Sequence, residues 1–328
     1  MLPVVLLFAL LAPPQQPSAS LLQNGLLALK QGRAAEARTL LEDASRQEPN
    51  NAYIWLSLAQ TYRTLGEQKL AGDAAHKTET LAPNDPIACH GLSLFYTETG
   101  EYRRAGELEL KFAESARADQ AALSRAANLL LRGQDFNGAA EAANKGLQAK
   151  ASDPQLLLTL GVARYGQRRF DEAITTFLKV AEIDPAVPQP YIFLGKLLDQ
   201  AGAHLPAVQA ADEQWLKQNP QNATASVELA KTLLAAAGDE KRAEELLRSA
   251  IALQPDNAEA HYQLGVLFER KRQWQEAADE LTRSTSLEPN NPMPHYHLAR
   301  VYDRLGQHDR AQAERSLHAQ LTAPAKQP

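Results

Sequence analysis

The sequence is poor in residues that cross-link a chain or react on their own. Among its 328 residues there is one cysteine, Cys89, and aromatic residues make up only 6%. A single cysteine cannot form an internal disulfide, and without further ligands it cannot hold zinc. The chain has a 34-residue repeat, described below, and Cys89 falls at one of its apolar positions, which we predict to be buried. We therefore interpret Cys89 as a small core hydrophobe and not as a nucleophile.

Two further absences exclude classes of function. The sequence has no Gly-rich phosphate loop, no G-x-S-x-G motif and no H-E-x-x-H motif, so we expect a protein that is not an enzyme and that has no cofactor. The net charge is −5, with the two signs interspersed and without a basic stripe. The electrostatic source of nucleic-acid affinity is therefore lacking, and we expect no nucleic-acid partner.

The N-terminus carries a short apolar run from Leu2 to Ala12. A bilayer span needs about twenty apolar residues, so we expect no membrane span. A Pro-rich polar stretch and the small residues 18–20 follow, which is the layout of a secretory signal peptide. We predict that residues 1–20 are a signal peptide and leader and that the protein is exported to the periplasm. Since no Lys or Arg precedes the apolar run, a cytoplasmic location stays open as the alternative.

A period of 34 residues runs through the rest of the chain. Only the seventh row needs two extra residues. We predict nine repeat units and a short tail, 326–328. The units are 18–51, 52–85, 86–119, 120–153, 154–187, 188–221, 222–257, 258–291 and 292–325.

Three columns of this alignment have a physical interpretation. Position 20 is alanine in all nine rows, namely Ala37, Ala71, Ala105, Ala139, Ala173, Ala207, Ala243, Ala277 and Ala311. Position 8 is small in eight rows, and a proline stands at or beside position 32 in seven. Apolar residues at positions 4, 7, 8 and 11 and at 20, 24 and 27 have the spacing of one buried helical face. We predict that the small residues at positions 8 and 20 are buried where the two helices approach closely. Each row therefore predicts a helix, a tight turn, a second helix and a loop marked by proline.

These columns resemble a known family. In the second row Trp55, Leu58, Ala59, Tyr62, Gly66, Ala71 and Pro83 stand at the spacings of the tetratricopeptide repeat. The resemblance covers residues 18–325. It implies an all-α fold, a right-handed α-solenoid of about nine tandem helix-turn-helix units. It also implies a concave groove lined by first helices, in which a protein or peptide is bound.

The same resemblance assigns first-helix positions 2, 5, 9 and 12 to the groove, with position 6 at its edge. Amide, aromatic and arginine side chains at such positions suit recognition of a peptide. The candidate groove residues are Arg125, Asn128, Lys196, Tyr262, Tyr296 and Arg300. We expect Asn128 and Lys196 to form a middle cluster, and Tyr262, Tyr296 and Arg300 to form a C-terminal cluster. The family's carboxylate clamp is rejected, because no three consecutive rows carry its residues.

Other interpretations stay open at this point. The chain is a non-catalytic scaffold or adaptor in the leading hypothesis. A cytosolic regulatory or enzyme-associated module is the alternative, and a small-molecule or metal carrier is the least favoured, since His261 and His295 lack further ligands at metal spacing. Leu21, Leu22 and Leu26 make the first row apolar on its outer side, so self-association through that end is also expected. The polar residues of the last row predict a C-terminal cap.

Overall fold

The computed structural model describes residues 17–115 and 120–323 of the chain. Residues 1–16 of the predicted signal peptide and the predicted tail 326–328 lie outside the described residues. The described part consists of helices joined by short turns, and it contains no strand. The chain divides into two compact units, one ending at Arg169 and the other beginning at Phe170. The predicted all-α fold of about nine tandem helix pairs is confirmed.

The helices alternate between a first and a second member of each pair. The first members are α1 (Pro17–Lys30), α3 (Ala52–Thr64), α5 (Pro86–Thr99), α7 (Gln120–Arg132), α9 (Pro154–Gly166), α11 (Gln189–Lys196) with α12 (Leu198–Ala201), α14 (Ala223–Ala235), α16 (Ala258–Arg270) and α18 (Pro292–Arg304). The second members are α2 (Ala34–Gln47), α4 (Gln68–Leu81), α6 (Tyr102–Ser115), α8 (Phe136–Ala149), α10 (Phe170–Ile183), α13 (Leu205–Gln218), α15 (Glu240–Leu253), α17 (Trp274–Leu287) and α19 (His308–Thr322). The first unit contains α1 to α9, and the second contains α10 to α19.

Local sequence explains where many of these helices begin and turn. An Asn or Asp precedes several first helices and accepts a hydrogen bond from a backbone N–H of the first turn, as Asp85 does from Ala88 and Asn257 does from Ala260. Such caps satisfy donors that the helix itself cannot. Gly66 lies between α3 and α4 with φ +78°. That left-handed conformation is readily adopted by glycine, so the residue permits the tight turn.

Small residues allow the two helices of a pair to approach closely. A Cβ atom on Gly25 would lie 2.7 Å from Cγ of Leu41, and one on Gly265 would lie 2.7 Å from Cγ of Leu281. Both leucines stand at position 24 of their rows and are fully buried. The small column at position 8 therefore leaves room for the large column at position 24, since added volume in such a contact is destabilising.

The sixth row departs from the predicted helix-turn-helix unit. Its first helix is interrupted at Leu197 (φ −107°, ψ 9°), and a 3₁₀ turn over Gly202–His204 leads into α13. As a result α13 begins one position later in its row than the other second helices. Its buried face is rotated accordingly, so that Val208 is buried and Ala207 is exposed. The prediction that all nine position-20 alanines are buried contacts is wrong for Ala207.

The ends of the array differ from each other. Leu26 is buried, and Leu21 and Leu22 are half-buried against the core of the first unit. The expectation of an outer apolar face formed by these three residues is wrong, because Leu26 is buried and Leu21 and Leu22 pack against the core. In α19 the described residues bury only Ala311, while Arg315 is exposed, as a polar terminal cap requires. None of the described helices combines the length and apolar character that crossing a bilayer would demand.

Candidate functional site

The structure brings Tyr262, Tyr296 and Arg300 together around His297. The ring centroids of Tyr262 and His297 are 5.7 Å apart, and those of Tyr296 and His297 are 5.3 Å apart, both edge to face. The guanidinium carbon of Arg300 lies 5.6 Å from the centre of the Tyr296 ring. We call Tyr262, Tyr296, His297 and Arg300 the Tyr–Arg surface. It joins α16 and α18 of the second unit, and edge-to-face packing holds its rings in fixed positions.

Glu269 pairs with two residues of the Tyr–Arg surface, His297 and Arg300. Its carboxylate is almost fully buried; Oε2 lies 2.6 Å from Nδ1 of His297, and Oε1 lies 3.1 Å from Nη2 of Arg300. Glu269 stands at position 12 of the eighth row, which the resemblance assigns to the groove, but the structure buries it. His297 and Arg300 are three residues apart on α18, so one acid on α16 can hold both. That spacing is the sequence signal from which a shared partner could have been inferred.

The two tyrosines differ in exposure. Tyr296 keeps 43% of its surface accessible, whereas Tyr262 is half-buried. Burial raises the pKa of Tyr262 to about 12, and the negative charges of Glu259 and Glu269 act in the same direction. The phenol of Tyr262 therefore stays protonated at neutral pH and can donate a hydrogen bond.

A pocket of about 290 Å³ adjoins the Tyr–Arg surface. We call it the arginine pocket. It lies between α16, the start of α17 and α18. Its polar lining comes from Glu269, Arg270, His297, Arg300 and Arg304, and the indole of Trp274 contributes an apolar wall.

In the first unit Arg125 takes part in a related arrangement. The carboxylate of Glu109 is buried; Nε of Arg125 lies 2.7 Å from one of its oxygens, and Nδ1 of His90 lies 2.8 Å from the other. Burial alone would raise the pKa of Glu109, but the hydrogen bonds from His90 and Arg125 outweigh it and hold the pKa below its usual value. Arg125 therefore neutralises a buried acid within the fold, and its exposed part remains a candidate for the groove edge.

The two members of the predicted middle cluster lie in different units. Asn128 is half-buried in the first unit; its amide donates to the backbone oxygen of Ser124 at 2.9 Å, and its oxygen accepts from the hydroxyl of Thr159 at 3.3 Å. Lys196 is exposed in the second unit, with its ammonium 5.4 Å from the centre of the Phe193 ring. Asn128 is thus partly engaged in joining neighbouring repeats, while Lys196 presents its charge to solvent.

A buried acidic pair on α13 and α14 had no sequence signal. Asp212 is 1% exposed, and its Oδ2 lies 2.6 Å from the hydroxyl of Thr232. Its other oxygen is buried and has no hydrogen-bond partner among the described residues. Burial raises the pKa of Asp212 to about 7. Nearby, Glu228 is buried 2.9 Å from the ammonium of Lys231, and burial raises the pKa of this carboxyl too.

The histidines considered as metal ligands have other contacts. In His261, Nδ1 lies 2.6 Å from Glu280 and Nε2 lies 3.1 Å from the carbonyl oxygen of Pro255. His295 repeats the arrangement with Glu314 and Pro289 at the same two distances. Within residues 17–115 and 120–323 no three metal-ligating side chains converge on one point. Cys89 is buried as predicted, and burial raises the pKa of its thiol.

A model of the tetratricopeptide repeat matches residues 22–86, 124–188 and 232–292, and a second model of that repeat matches 280–313. Together the matched segments make up more than half of the chain. Among curated proteins none matches it.

Several solved structures are similar to this chain. TTC0263, a thermophilic TPR protein of Thermus thermophilus, is 21% identical over 52% of this chain and 92% of its own, with a TM-score of 0.45. Tom70 of yeast is 12% identical over 94% of this chain and 92% of its own, with a TM-score of 0.47. MamA of Desulfovibrio magneticus, from residue 41 to its end, is 20% identical over 64% of this chain and 98% of its own, with a TM-score of 0.37. Similarity at this level concerns the fold and not the function.

Proposed function

Because this chain belongs to the tetratricopeptide repeat family, we propose that it is a non-catalytic scaffold that holds a protein or peptide against its first helices. A repeat array offers an extended surface built from equivalent positions of successive units. In this chain the Tyr–Arg surface is the best candidate for the contact. The observation that carries the proposal is the fixed grouping of two tyrosines and one arginine around His297, in which Glu269 anchors His297 and Arg300.

The physical support lies in preorganisation. Tyrosine and arginine are enriched among residues that dominate binding energy, because they combine a large contact area with polar tips. Arg300 is held by Glu269 while 55% of its side chain stays exposed. A partner would therefore meet side chains whose conformational freedom is already restricted, which lowers the entropic cost of binding.

The experiment uses peptides selected from a random display library on the purified protein. A selected peptide is then titrated by fluorescence polarisation. Replacing Tyr262 and Arg300 with Ala should weaken its binding by more than about 2 kcal/mol, roughly thirtyfold, with little change in melting temperature. Glu245→Ala is the control, since Glu245 is exposed on the second helix α15. Loss of binding in the control with none in the Tyr262 and Arg300 variant would reject this surface.

We also propose that the protein is exported to the periplasm. The proposal rests on the apolar run and the small residues before Leu21. Fractionation of the source cell followed by N-terminal sequencing tests it. A mature N-terminus near Leu21 in the periplasmic fraction is the expected result, and intact Met1 on cytosolic protein would contradict it.

A further inference from the structure

We propose that the arginine pocket receives the acidic side chain of a bound peptide segment, and that the scaffold therefore selects partners with Asp or Glu beside their contact to the Tyr–Arg surface. This inference rests on the proposed function and specifies the chemistry of the partner. Arg300 belongs both to the Tyr–Arg surface and to the pocket lining. A segment that lies across the two tyrosines therefore passes the mouth of the pocket.

The charges of the pocket do not balance. Three guanidinium groups, those of Arg270, Arg300 and Arg304, line it together with one carboxylate, Glu269. That carboxylate is already engaged by Arg300 and His297. In the described part of the chain no carboxylate lies within 4.0 Å of the guanidinium of Arg270 or Arg304. Two positive charges are thus left without a counter-ion, although the chain as a whole has a net charge of −5.

The neighbouring acidic side chains already form ion pairs with other basic side chains. Glu244 lies 2.9 Å from Arg248 and 2.8 Å from Lys271. Asp303 lies 2.6 Å from Arg315, and the hydrogen bond from Arg315 holds the pKa of Asp303 below its usual value. These carboxylates are therefore already engaged by other cations. An incoming carboxylate therefore meets donors without displacing an existing ion pair.

The size and lining of the pocket suit a side chain. At about 290 Å³ it lies at the small end of the range for ligand sites, so it fits one or two side chains and not a large ring system. The half-buried indole of Trp274 and the side chain of Val266 provide apolar contact for methylene groups. A carboxylate at the end of such a stem can accept charge-assisted hydrogen bonds from guanidinium, which are about twice as strong as neutral ones.

Two N-acetylated, C-amidated hexapeptides, one of glutamate and one of glutamine, test the inference. Blocking both ends removes the terminal carboxylate as a competing explanation. Binding is measured by calorimetry at low salt and again at high salt. The wild-type protein should bind the glutamate peptide at least about tenfold more tightly than the glutamine peptide, and salt should weaken the difference.

The informative variant is Arg270→Gln with Arg304→Gln. Both arginines are exposed, so the fold should survive, and a melting curve checks this. The variant should lose at least about tenfold in affinity for the glutamate peptide. The matched control is Arg283→Gln with Arg310→Gln, which removes the same charge from exposed positions on the second helices α17 and α19. The control should bind as the wild type does.

Each outcome bears on one proposal. Equal affinity of the wild type for the two peptides would overturn the acidic preference. An equal loss of affinity for the glutamate peptide in the variant and in its control would overturn it too. Tighter binding of a single-stranded DNA octamer to the same arginines would also overturn it. If library-selected peptides need Tyr262 and Arg300 but carry no excess of acids, the scaffold function stands and the pocket inference fails. If the glutamate peptide binds but selected peptides bind the Tyr262 and Arg300 variant as tightly as the wild type, the proposed scaffold function of that surface is wrong.

Discussion

The indole N–H of Trp55 donates a hydrogen bond of 2.7 Å to the backbone carbonyl oxygen of Pro49, six residues earlier. The same contact recurs from position 4 of a row to the closing proline of the row before. It is made by Cys89 to Pro83, Tyr191 to Pro185, His261 to Pro255 and His295 to Pro289. Where the preceding row has no closing proline, position 4 is Leu123 or Leu157, which has no donor. Ala225 is the exception, because it follows the closing Pro220 but has no side-chain donor.

Replacing His261 with Leu should destabilise the protein by roughly 2–3 kcal/mol. The substitution removes both ring nitrogens, so the carbonyl oxygen of Pro255 and the carboxylate of Glu280 lose their partners near the core. An unsatisfied buried polar group costs about 1–3 kcal/mol. Urea denaturation measures the change. His76→Leu is the control, because His76 is largely exposed, and its stability should stay within about 0.5 kcal/mol of wild type.

Two alanines of the same column should respond differently to enlargement. Ala173 is fully buried on α10, so Ala173→Leu should overpack its contact and cost roughly 1–3 kcal/mol. Ala207 occupies the same position of the next row but is exposed, so Ala207→Leu should change stability by less than about 0.5 kcal/mol. Melting curves of both variants provide the comparison. Equal effects would show that the register assigned to α13 is incorrect.

Two glycines of the first unit should respond to alanine with opposite signs. A Cβ on Gly133 would lie 2.6 Å from Cα of Arg103, and backbone cannot move aside as a side chain can. Gly133→Ala should therefore destabilise the protein by roughly 1–3 kcal/mol. A Cβ on Gly72, inside α4, would meet nothing within 4 Å. Gly72→Ala should stabilise by about 0.5–1 kcal/mol, because alanine loses less backbone entropy in a helix. Chemical denaturation tests both.

The buried carboxyl of Asp212 should make stability fall as pH rises. Its pKa is about 7 in the folded protein and 3.8 in the unfolded reference, so between these values the folded state binds more protons. The stabilisation is fully present below about pH 4 and is lost as pH rises through 7, by roughly 2–4 kcal/mol. Urea denaturation of wild type and Asp212→Asn at pH 5 and pH 8 measures the difference.

The Asp212→Asn variant separates the contribution of this carboxyl from that of other titrating groups. Asp212→Asn should lose much of the decline in stability between pH 5 and pH 8, because asparagine does not titrate. A residual slope of the same sign is expected from Glu228, whose pKa is also raised by burial. An unchanged slope in Asp212→Asn would show that the pH dependence has another source.

Much of the fold was predictable because the repeat is encoded locally. Three local signals each act within a single 34-residue repeat. They are the helical spacing of apolar residues, turn glycines such as Gly66 and small residues such as Gly265. The candidate site was predictable only in part. Position along the first helices indicated Tyr262, Tyr296 and Arg300, but it did not distinguish them from Asn128, which also bonds across repeats.

The sequence by itself determined the class of fold, the helix pairs and the identity of most core columns, since the 34-residue period records the same local packing nine times. Only the tertiary structure decided which polar residues are committed inside the fold. It buries Glu269 beneath His297 and Arg300, places Asp212 against Thr232, and leaves Arg270 and Arg304 without counter-ions among the described residues. These outcomes depend on distances between neighbouring helices. A single sequence does not reveal those distances. The same position along a helix is compatible with a charged side chain that is exposed and with one that is buried against the next helix.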